Sequence, residues 1–242
     1  MKIWQWLRSL VIGSSSNWGK WMPPRSKQLD IDQAGPPTAS TDCQNFFELH
    51  RFNSERCVAL QAQDEATQIL WESQRASRIS PGVVKDDEIL CRHWLNPIHW
   101  DSENNQLKPT AISDISRLGF SVNRLAYTDL AGVKEKAEDR VRQHNERIDA
   151  GVDEPRTLIG YSNFAASQVR TLTSEASGRR AVGVYDTATE ANAEKKIKQD
   201  TSHADVCQLI GDKKEARRIR NDMWRIMNAS LQSFEDATSA SV

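Results

Sequence analysis

Cys91, His93, His99 and Asp101 fall within the stretch ILCRHWLNPIHWD, residues 89 to 101, together with Arg92, Trp94 and Trp100. These residue types ligate metals and move protons near neutral pH. As metal ligands they fit poorly, because their spacing matches neither HExxH nor a Cys/His finger. No metal and no cofactor is therefore expected, and the plainest reading of the stretch is a strand running into an Asn-Pro turn.

A second grouping draws on several strand ends. His93, His99 and His203 are candidate general acids or bases, and Arg92 and Arg124 are candidate binders of a phosphate or carboxylate through the planar guanidinium fork. Ser121 is a nucleophile only with a base beside it. His203 and Asp205, two positions apart, share a strand face, which places Asp205 to orient the imidazole. The competing reading makes His203 a strand cap, Arg124 half of an ion pair, and Trp94 and Trp100 core residues.

A third grouping lies near the carboxyl end, where Lys213, Lys214, Arg217, Arg218, Arg220 and Arg225 face only Glu215 and Asp222 within one helical stretch. Lys213, Lys214, Arg217, Arg218 and Arg220 form the candidate anion-binding face, with phosphate backbones the chemistry it suits and Trp224 available for stacking if it escapes the core. GxxxxGK[ST], GxGxxG and GxSxG are all absent, which disfavours common nucleotide-cradle and α/β-hydrolase mechanisms.

The elements that must hold these groups follow from pattern. Leu90, Arg92 and Trp94 alternate with Ile89, Cys91, His93 and Leu95, so residues 87 to 95 read as a strand. FSVNRLA at 120 to 126, RTLIGY at 156 to 161, RRAVGVY at 179 to 185 and HADVCQLI at 203 to 210 read as further strands. Asp64 caps a helix whose Ala66, Ile69, Leu70 and Ser73 share a face, and Phe46, Phe47, Leu49 and Phe52 are expected to bury from a short helix before it. Asp129 opens a charged helix that Gly151 closes, with most of its circumference in water. Asp212 and Glu215 start the last helix, along which Ala216, Ile219, Met223, Ile226, Met227 and Leu231 recur at helical spacing.

Ile3, Trp4, Leu7, Leu10 and Val11 line one face of an amphipathic helix at residues 1 to 12, suited to docking on protein or to a membrane interface. Gln5 and Arg8 interrupt it as a secretory signal. Residues 13 to 41 are rich in Gly, Pro and Ser, so the arm and linker are expected to span 1–41 and one α+β domain 42–242. Irregular alternation of strands and helices predicts an α+β fold with a mostly antiparallel sheet, a C-terminal amphipathic helix and an N-terminal helical arm.

Thirty-two basic and 33 acidic residues nearly cancel in the 242-residue chain, so recognition of an anion must come from a local patch. The four cysteines form no CxxC pair, which suits a reducing compartment. The expectation is a cytoplasmic protein, peripheral to a membrane if the arm binds one, that contacts an anionic partner (nucleic acid or nucleotide) through its last helix. The alternative is a small hydrolase or transferase acting on a phosphoester or nucleotide. An enzyme gathers at least two of the histidines with an arginine in one pocket.

Overall fold

The computed structural model describes residues 41–148, 153–194 and 197–235; the expected helix and linker of residues 1 to 40 lie outside them. Along the described chain run α1 (Thr41–Leu49), α2 (Arg56–Gln61), α3 (Glu65–Glu72), β1 (Ile89–Asn96), β2 (Trp100–Asp101), β3 (Gln106–Leu107) and a 3₁₀ helix (Pro109–Ser116). β4 (Phe120–Arg124), α4 (Leu130–Asn145), β5 (Thr157–Ala165), α5 (Ala166–Arg170), β6 (Val182–Tyr185), β7 (His203–Gln208), α6 (Lys213–Ala229) and β8 (Leu231–Gln232) follow. Six strands form one antiparallel sheet in the order β6-β7-β4-β1-β5-β8, giving the mixed α+β body that the pattern predicts.

Each sheet face is covered differently. On one, Leu90, Trp94, Phe120, Val122, Val184, Ala204 and Val206 pack with Ile112 and Ile115 of the 3₁₀ helix and Ile219, Met223 and Met227 of α6. Trp94 is fixed there by a relay: its indole Nε1 donates to Ser162 Oγ at 2.8 Å, and that hydroxyl donates to the Met227 carbonyl at 2.6 Å. The opposite face carries two smaller clusters. α1, α2 and α3 close over Tyr185 and Cys207 at the β6–β7 end, while Val133 of α4 closes over Cys91 and Tyr161 at the β1–β5 end. Between those covers, over β4, the residues facing out are polar: Ser121 and Asn123, paired in register with Asp205 and His203.

Some predicted faces are reversed. Ala66, Ile69, Leu70 and Ser73 form the exposed side of α3, and its buried side is Gln68, Trp71 and Glu72. Most of those buried polar atoms are partnered: Gln68 Nε2 donates to the carbonyls of Leu60, Gln63 and Leu209, although its Oε1 has no partner, and Glu72 accepts from Arg170 and Val184 N–H and pairs with Arg180. Phe47 is buried as expected, but Leu49, the last residue of α1, and Phe52 beyond it are exposed. Leu231 leaves the last helix and joins β8 against Ser162. No helix among the described residues is long and apolar enough to cross a membrane.

Candidate functional site

The β1–β4 ladder is short. It holds at Leu90↔Arg124 and Cys91↔Asn123, whereas β1 continues along β5 to Asn96 and β4 continues along β7 back to Phe120. Past Cys91 a side chain takes over: Arg92 Nη1 donates to the Ser121 carbonyl at 2.7 Å. The guanidinium lies 4.9 Å from the Phe120 ring centre and 5.8 Å from that of Trp94, an arrangement favourable for a desolvated cation. Arg92 is only 7% exposed, its Nε has no hydrogen-bond partner, and among the described residues no carboxylate forms an ion pair with it. Burial, with the charge of Arg140 added, draws its pKa down to about 10 against the opposing pull of Asp114 and Asp205.

Arg140, which no sequence motif singles out, comes from α4. Asp129 caps this helix by accepting from Gly132 N–H, and Val133 and Ala137 point into the protein. On the same side Lys136 grips three acceptors, Asp200 Oδ1 at 2.6 Å, Ser202 Oγ at 2.7 Å and Asn123 Oδ1 at 3.2 Å. Arg140 follows one turn later, so it faces the same way. Its side chain is exposed, and desolvation draws its pKa down against the opposing pull of Asp200 and Asp205. It too forms no ion pair among the described residues.

Two imidazoles feel the charge of these guanidiniums. His93 leaves β1 on the α4 side; it is buried, and its Nδ1 lacks a partner. Burial first, then the charges of Arg92, Arg140, His99 and Lys136, hold its pKa well below the usual histidine value. His99 follows the cis Asn96-Pro97 bond, stands edge-on to Trp94 at 5.4 Å, and accepts the Leu95 N–H on Nδ1 at 3.0 Å. That bond assigns its proton to Nε2. Burial, then Arg92, Arg156, Lys108 and Arg140, lower its pKa to about 3. Both rings are uncharged at neutral pH, so they act as hydrogen-bonding groups and not as reserves of imidazolium.

Asp205 is the other fixed point, on β7 beside β4. It is fully buried and accepts from Arg56 Nη2 at 2.6 Å, Thr187 Oγ1 at 2.8 Å and Ser121 Oγ at 3.1 Å; His203 Nε2 lies 3.9 Å from it. Burial raises its pKa, but Arg56, His203 and these hydroxyls outweigh that and keep it an anion. Gly119 makes room: at φ +97° it enters β4 where a Cβ would lie 3.0 Å from Arg56 Nη2 and 3.1 Å from Asp205. Ser121 therefore has a carboxylate beside it, to which its hydroxyl donates. His203 Nδ1 lies 2.9 Å from the Thr187 carbonyl and 3.1 Å from Thr187 Oγ1.

Arg92, His93, His99 and Arg140 thus lie near enough to feel one another's charge, although Arg92 leaves β1 on the Trp94 side and His93 on the α4 side, and Ser121, Asp205 and His203 stand on the neighbouring strands. Arg124 does not belong with them. Its guanidinium is wholly buried and spends its donors on Glu88 (2.7 Å twice), the Gly82 carbonyl (2.5 Å) and the Val83 carbonyl (3.1 Å), with Asp186 at 3.2 Å. No donor remains for a ligand. Arg218 is likewise occupied, by Glu215 at 3.1 Å, Asp222 at 2.9 Å and the Thr173 carbonyl. Lys213, Lys214 and Arg217 stand exposed and Arg220 half-buried. All four cysteines are buried free thiols, and burial pushes Cys43 and Cys91 up to about 12, too high for useful reactivity. Among the described residues no group of three or more His, Cys, Asp or Glu side chains is arranged to hold a metal.

No protein-family model, no curated protein and no solved structure matches the chain.

Proposed function

We propose that the cleft over β4 binds the phosphate of a small phosphoester or nucleotide, and that the protein is a hydrolase or transferase acting on it. The observation that carries this reading is the buried guanidinium of Arg92, which has an unpartnered Nε and no carboxylate ion pair among the described residues, and whose charge acts together with that of Arg140 on two uncharged imidazoles. Buried cations are normally paired, and an unpaired one costs several kcal/mol unless an anion joins it (about 3 kcal/mol or more). Arg92 and Arg140 hold the phosphate in this reading, His99 Nε2–H donates to it, and Ser121, backed by Asp205, is the hydroxyl nearest to hand. Four buried free thiols support a reducing, cytoplasmic setting.

Calorimetric titration with inorganic phosphate and a nucleoside monophosphate tests the reading. Arg92→Met and Arg140→Ala should each weaken binding about tenfold or more, since each removes charge-assisted bonds worth about 1.5–3 kcal/mol. Absence of binding by any phosphate compound, or equal binding by both variants and the parent, would overturn it.

A further inference from the structure

The charges of the two most charged helices have different fates. On α4, Lys134 meets Glu138 at 3.9 Å, Arg142 meets Asp139 at 2.5 Å and Glu146 at 3.9 Å, so the helix largely neutralises itself. On α6 both carboxylates are used by two arginines, Arg218 with Glu215 and Asp222, and Arg225 with Asp222. Lys213, Lys214, Arg217 and Arg220 remain, and none of them has an ion pair among the described residues. Lys213, Arg217 and Arg220 stand at i, i+4 and i+7, one row along the helix, with steps of about 6 and 4.5 Å at 1.5 Å rise per residue. Ile219, Met223 and Met227 lie about a quarter turn round the helix from this row, inside the core, so that Lys213 and Arg217 are exposed and Arg220, nearest the core, is half-buried.

We propose that this row is a contact surface for the phosphate backbone of a nucleic acid, separate from the cleft. Three considerations choose that partner over other anions. A membrane-surface helix needs an apolar face free to enter lipid, and the apolar face of α6 is already buried. A protein partner needs an apolar anchor, but Trp224, the one aromatic residue in the row, packs on the core and gives its indole N–H to the Leu107 carbonyl at 2.7 Å. Cations spaced along a line without apolar anchors suit regularly repeated phosphates, where the attraction comes from displaced counterions and is indifferent to sequence.

The test uses the full chain and a fluorescently labelled duplex of random sequence, with anisotropy followed at several salt concentrations. Three phosphate contacts predict that the slope of log K against log salt becomes shallower by about 2.7 in a Lys213→Gln, Arg217→Gln, Arg220→Gln variant. Arg92→Met should leave the slope unchanged, which separates this surface from the cleft. An unaltered slope in the triple variant, with its melting temperature intact, overturns the proposal. So does an absence of binding to duplex and single strand at low salt, and so does binding to phosphatidylserine vesicles, lost in the triple variant, without binding to nucleic acid.

Discussion

Arg92 and Arg124 are both buried arginines on adjacent strands, and they differ in how they are closed. Arg124 meets Glu88, Asp186 and two backbone carbonyls before any partner from outside is considered. Arg92 has a single carbonyl, two aromatic rings and an Nε with no acceptor. Burial alone thus separates the two poorly. Completion does so, because a saturated guanidinium holds the fold together and an unsaturated one is available to something that is not part of the chain.

The largest effect that would sharpen this contrast is at the saturated arginine. Arg124→Met leaves Glu88 and Asp186 buried without their cation and should cost about 3–5 kcal/mol in urea unfolding. A cost below about 1 kcal/mol would break the comparison.

Next comes pH. His93 and His99 have depressed folded pKa values, so the unfolded chain binds more protons once pH drops below 6.5, and stability falls with pH down to the folded value of about 3 for His99. One such ring contributes up to about 1.4 kcal/mol per pH unit. Asp186 works the other way: burial raises it to about 6 from 3.8, so its contribution to stability grows as pH falls through that window. His99→Gln should flatten the acid loss by about one proton, as measured by urea midpoints across the range. An unchanged profile would mean that the ring is not held neutral by its neighbours.

The smallest effect is at the open arginine. Arg92→Met, with a flexible apolar side chain set between Phe120 and Trp94, should leave stability unchanged or raise it by about 1 kcal/mol in the absence of any anion. A loss comparable with that of Arg124→Met would make the two arginines alike and remove the reason to assign the first to a ligand.

The strands that carry these groups are legible in the sequence because alternation survives wherever one face is apolar, as in Leu90 and Trp94 or Ala204 and Val206. α6 is legible because its core face, polar face and Asp212 cap agree. α3 is not, since its buried side is polar and the partners that make that tolerable, Arg170, Arg180 and the Leu209 carbonyl, are about a hundred residues or more away in sequence. Arg92, His93 and His99 are visible as candidates, but their meeting with Arg140 is not. A run as charged as LAGVKEKAEDRVRQHN reads as solvated over most of its circumference, although Val133, Lys136, Ala137 and Arg140 recur at the spacing of one face. The early end of the β1–β4 ladder leaves no mark in composition, for it depends on where two neighbouring ladders continue.

The grip of Lys136 on Asp200, Ser202 and Asn123 has a kinetic consequence. With the wall that bears Arg140 already anchored to the sheet, an arriving anion has little protein to rearrange. Its capture should then follow a single exponential whose rate rises linearly with ligand concentration, and Lys136→Met should turn that straight line into one that levels off.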